Sequence, residues 1–107
     1  MLRDLIVGTI TLGLLISLVA ILTLDPPTAE ELCAAHPTWS ATDCQRISEG
    51  IIWLGMDAEQ LQAGWGRPTD INRTVSAYGV REQWVYRYSS TTRYVYLDDG
   101  IVASWQI

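Results

Sequence analysis

Cys33, His36 and Cys44 are the residues best suited by type to chemistry in this chain, with the two cysteines eleven positions apart. Two thiols and an imidazole so close together can hold a metal, run a thiol–disulfide couple or close a structural disulfide. A zinc site would want a fourth ligand and paired C-x-x-C spacing, and haem attachment would want C-x-x-C-H. Neither pattern is present. These are the only cysteines, and a Cys33–Cys44 disulfide is the expectation, with no metal and no cofactor. Closing so short a loop stabilises by about 3 kcal/mol in the chain-entropy model.

Acyl transfer needs a nucleophile, a base and a group to orient the base. His36 is the one histidine, in an Ala34-Ala35-His36-Pro37 loop, and reads as a surface or capping residue. Glu49, Asp57, Glu59 and Glu82 supply carboxylates of the kind glycosidases use in pairs. Asp57, however, stands where a helix cap belongs, and Glu59 falls on the polar side of the same helix. Gly64 and Gly66 precede Pro68 instead of opening a helix, so they do not form a phosphate cradle. No catalytic residue is assigned, and a non-enzymatic protein is expected.

The other concentration of chemistry is aromatic: five Trp and five Tyr, with no Phe. Trp84, Tyr86, Tyr88, Tyr94 and Tyr96 fall on neighbouring predicted strands and make a candidate partner surface, since Tyr and Trp supply binding hot spots. The alternative is that they fill the space between the sheet and its helices. Which face of the sheet is buried stays open.

Several elements must position these residues. The run 5–24 is twenty residues of apolar or small side chains without a charge. As a helix it would extend about 30 Å, the thickness of a bilayer's hydrocarbon core. Asp25-Pro26-Pro27 gives no good signal-peptidase site, and Glu30-Glu31-Leu32 before Cys33 gives no lipidation site, so an uncleaved single transmembrane helix is predicted. Thr9, Gly13, Ser17 and Ala20 would share one face of it, small enough for another helix to pack closely. Arg3 lies before the run and Asp25, Glu30 and Glu31 after it, which predicts a cytoplasmic N-terminus and a periplasmic remainder, anchored in the inner membrane. From residue 25 onward six arginines face eleven acidic residues, 6 − 11 = −5, and the chain has no lysine. Such a balance argues against nucleic acid as a partner.

Residues 25–50 read as a linker with two short helices bracketed by the cysteines. Thr28 and Glu31 suggest the first cap, and Ser40 or Thr42 the second. Ile51–Leu54 reads as a short strand, then Asp57 with Gln60 as a capping box opening a helix that Gly64 and Gly66 close. Residues 71–76, 81–88 and 93–97 alternate as strands. Asp99-Gly100 suits a tight hairpin turn, and Ile101, Ala103, Trp105 and Ile107 share one face of a last strand. The fold class predicted is α+β: the transmembrane helix, then two or three short helices packed on a three- to four-stranded antiparallel sheet.

From about Gly50 to Ile107 the chain resembles the SmpA/OmlA domain, the BamE-like fold of small envelope proteins. The resemblance is carried by Gly55, Met56, Gln60, Leu61, Gly66, Pro68, Trp84, Tyr86, Asp99, Gly100 and Val102. It implies two helices on a three-stranded antiparallel sheet and a small, exported, non-enzymatic domain that binds other proteins. The chain departs from that family in having no lipidation site. The expectation is an accessory or scaffolding subunit of a larger membrane complex, with other membrane subunits and the bilayer as partners. The alternatives are a free-standing envelope domain binding cell-wall glycan, or an assembly factor of the BamE type.

Overall fold

Three side-chain caps start the helices. The structure, a computed structural model, describes residues 25–107. The Thr28 hydroxyl accepts from the Glu31 backbone N–H at 3.2 Å and begins α1, Ala29–Ala35. Ser40 does the same for Asp43 at 3.1 Å and begins α2, Ala41–Ser48. Asp57 and Gln60 cap each other reciprocally, at 2.8 and 2.9 Å, and begin α3, Ala58–Trp65. Each cap satisfies a backbone donor that the first turn leaves without a partner. Pro37, Gly50 and Gly66 follow the three helices closely and keep them to seven or eight residues.

The predicted fold class is corrected in its membrane-spanning part. Among the described residues no helix is long and apolar enough to cross a membrane. The expected span at 5–24, with its face of Thr9, Gly13, Ser17 and Ala20, lies outside the described residues. What stands is a small α+β domain of three short helices and a four-stranded antiparallel sheet.

The strands are β1, Asp70–Ser76; β2, Gly79–Arg87; β3, Thr92–Asp98; and β4, Ile101–Gln106, lying side by side in chain order. Two adjacent turns lock this meander. Asp99 and Gly100 take positive φ, 49° and 80°, as a two-residue hairpin of this twist requires. The Asp99 carboxylate then accepts from the Val80 backbone N–H at 2.8 Å, and its own N–H donates to the Val80 carbonyl. Gly79, at φ 124°, has no Cβ because the Asp99 carboxylate oxygens sit 2.7 Å from where one would be.

Register fixes the faces. Trp84 pairs with Val95 and Val95 with Trp105, while Glu82, Leu97 and Val102 form the next row. Directly paired residues share a face. The helix side of the sheet thus gathers Trp84, Tyr86, Val95, Leu97 and Val102 around Met56 and Leu61. A smaller cluster of Leu32, Cys44 and Ile47 lies between α1 and α2, and Trp53 packs against both cores.

Two strand expectations are corrected. Ile51–Leu54 forms no strand, and Ile51 and Leu54 are exposed; the pairing comes later, where Gly55 N–H donates to Val102 and Ala58 N–H to Gly100. In β4 the register shifts between the partners of Tyr96 and Leu97, leaving Ala103 as an extra residue. This bulge reverses the alternation: Val102 and Trp105 turn to the core and Ile101 is exposed.

Candidate interaction surface

The cysteines are joined. Cys33 at the C-terminal half of α1 and Cys44 in α2 form a disulfide with Cα atoms 5.8 Å apart. Both thiols are consumed, so the C-x-x-H pattern has no thiolate to offer a metal. Among the described residues no group of three or more His, Cys, Asp or Glu is placed to hold one. His36 stacks on Trp39 with ring centroids 3.7 Å apart, and its Nδ1 lies 3.3 Å from Glu59. Ala58, Gln62, Ala63 and Trp84 complete a shallow groove of about 480 Å³ beside this pair. The lining offers the imidazole no hydroxyl or thiol to activate.

The four carboxylates weighed for acid–base work are dispersed, and each has a local partner. Asp57 caps α3, Glu59 faces His36, Glu49 accepts from Gln45 at 2.8 Å, and Glu82 accepts from the Trp84 indole at 3.4 Å.

The structure divides the five aromatics between two faces. Trp84 and Tyr86 lie in the core, 4% and 3% exposed. The Tyr86 hydroxyl donates to the Gly66 carbonyl at 3.1 Å, fastening the end of α3 to the sheet, and burial pushes the phenol's pKa above its ordinary value. Tyr88, just beyond β2, is exposed. Tyr94 and Tyr96 pair with Val85 and Gln83 and so lie on the opposite face.

That opposite face, which carries no helix, satisfies its own polar groups. Asn72 donates to Gln83, Gln83 donates to the Tyr96 hydroxyl, and Tyr96 donates to Gln106, a chain with one residue from each strand. Arg81 pairs with Asp98 at 2.9 Å, and Arg87 with Asp70. Tyr96 is therefore tied by its hydroxyl into a polar network on the face opposite Trp84 and Tyr86, and does not form a stacking platform with them.

Two features escaped the sequence. The first is the edge of the sheet. All seven residues of β1 are exposed, and β1 pairs only with β2. At the other edge, β4 is covered at its start by residues 55–58. The second is Arg93 on the helix side of β3. Its guanidinium carbon lies over the rings of Trp65 and Tyr88, 5.5 and 5.6 Å from their centroids, and its Nε is buried without a hydrogen-bond partner. Neither feature has a local signature. DINRTVS becomes an edge only through strand order, and Arg93 meets Trp65 only through the register that sets it opposite Tyr86. The chain matches no known protein family, no characterised protein and no solved structure.

Proposed function

We propose that this chain is a non-enzymatic accessory or scaffolding subunit of a larger envelope complex, whose disulfide-bonded domain docks other subunits along β1. The open edge carries this reading. A strand with one unpaired side is a template for another chain, and proteins ordinarily protect such edges with charges (lysine above all), proline, bulges or covering segments. The charges β1 carries are Asp70, already paired with Arg87, and Arg73. β1 contains neither lysine nor proline and is exposed throughout, and its Ile71 and Val75 are 47% and 71% exposed. A disulfide between the first two helices supports an oxidising compartment. The resemblance of residues 50–107 to SmpA/OmlA domains points to the same class, including the BamE-type assembly role.

A free-standing glycan-binding domain is the second reading. A groove of about 440 Å³ at the β1–β2 turn favours it, bounded by the wholly exposed Tyr78 and the polar side chains of Thr74, Ser76 and Asp99. Purification of the tagged chain from native membranes in mild detergent, followed by mass spectrometry, separates the two. Partners recovered at fixed ratio, and lost with Ile71→Lys or Val75→Lys while the domain melts normally, support docking at β1. Recovery of the chain alone rejects the subunit reading. Full retention of partners by both variants rejects the edge.

A further inference from the structure

The geometry points to Arg93 as the anchor of a carboxylate-binding site, built to receive a glutamate or aspartate side chain from a partner protein. Of the arginines among the described residues, Arg46, Arg81 and Arg87 form ion pairs, whereas Arg67, Arg73 and Arg93 form none. Arg67 and Arg73 are exposed, where water solvates the charge. Arg93 is half-buried, and its Nε is the one side-chain N or O atom among the described residues that is buried and unpartnered. A guanidinium N–H buried without an acceptor is costly, and each such group calls for an explanation.

The rings supply part of one. Trp65 and Tyr88 both lie beneath the guanidinium carbon, and cation–π attraction offsets some of the lost solvation. Trp65 is itself held in place by its indole N–H, which donates to the Gly50 carbonyl at 2.8 Å. With Nε buried, the guanidinium edge left for an incoming group is the one carrying the two terminal nitrogens, neither of which has a hydrogen-bond partner among the described residues. That edge presents parallel donors, the geometry that matches a planar carboxylate in bidentate fashion. Arg, Trp and Tyr are also the residue types enriched where binding energy concentrates. One guanidinium charge balances one carboxylate, whereas the net charge of −5 around it disfavours a dianion such as phosphate. The site lies on β3, two strands from the β1 edge, so it can stand or fall independently of docking there.

The test is an NMR titration of the full chain in detergent micelles. The probe is the peptide acetyl-Gly-Glu-Gly-amide, with acetyl-Gly-Gln-Gly-amide, sodium chloride and inorganic phosphate as comparisons. The glutamate peptide is expected to shift the Arg93 Nε–H and Trp65 indole N–H resonances saturably, with millimolar affinity, and the glutamine peptide is not. Arg93→Lys keeps the charge but loses the fork, and should weaken binding about tenfold, as the loss of one charge-assisted bond implies. Should Arg93 variants fail to fold, Tyr88→Ala removes one exposed ring and should weaken binding roughly threefold. Equal shifts with chloride at matched ionic strength, saturation by phosphate alone, or unaltered binding in Tyr88→Ala and Arg93→Lys overturns the assignment.

Discussion

Reducing the Cys33–Cys44 disulfide should release α1 while leaving the sheet folded. α1 is seven residues long, well short of the roughly 12–15 at which an isolated helix becomes marginal in water. Its one buried residue is Leu32, and the cluster that receives it consists of only Cys44 and Ile47 with partly buried neighbours. The main core around Met56, Leu61 and Leu97 contains nothing from α1. The disulfide spans a separation of eleven residues, and a loop of that size contributes about 3 kcal/mol in the chain-entropy model. A loss of about 3 kcal/mol corresponds to a factor of roughly 150 in the opening equilibrium. Amide hydrogen exchange with and without reductant measures this directly. Protection of the α1 amides that bond within the helix should fall by about that factor, whereas β2 and β3 amides should keep theirs. Unchanged α1 protection after complete reduction would refute the reasoning. An equal fall in β2 and β3 would show that the two cores unfold as one.

Gly79→Ala should destabilise by about 1–3 kcal/mol, because it combines a positive φ with a Cβ placed 2.7 Å from the Asp99 carboxylate; an unchanged melting temperature refutes the tie between the turns. Gly64→Ala should do the opposite and raise stability by about 0.5–1 kcal/mol, since its Cβ would meet Ile47 at 3.6 Å, ordinary contact, inside α3. Thermal melts that fall for this variant would mean that α2 and α3 pack more tightly than these distances indicate. Tyr86 is held neutral, its folded pKa raised by burial. Its contribution is therefore complete below the unfolded value of about 10 and is lost as pH rises beyond it. Tyr86→Phe should cost about 1–2 kcal/mol near neutrality by leaving the Gly66 carbonyl without its hydroxyl donor, and should remove part of the alkaline destabilisation above about pH 10. An alkaline melting profile identical to that of the wild type refutes this.

The legible parts of the fold were the locally encoded ones. Thr28, Ser40 and Asp57 announce helix starts by their own hydrogen-bonding chemistry, and Asp99-Gly100 announces its turn by the φ values it tolerates. The cysteine pair was legible because eleven residues leave few ways to use two thiols. The less legible parts depended on register. One bulged residue, Ala103, reverses the inward face of β4, and pairing Trp84 with Val95 is what sends Tyr86 into the core and Tyr96 to the far face. Ile51–Leu54 misled because an apolar run looks like a strand whether or not a neighbour is there to pair with it. Met56, a few residues on, has that neighbour in Val102.

The claim that matters most is that β1 receives a strand from another protein. Hydrogen exchange of the chain, alone and in its native complex, tests it residue by residue across Asp70–Ser76. The β1 amides left unpaired by β2 should exchange freely in the isolated chain and become protected in the complex, with little change in β3. Equal exchange of β1 in both states, with new protection elsewhere, would contradict it.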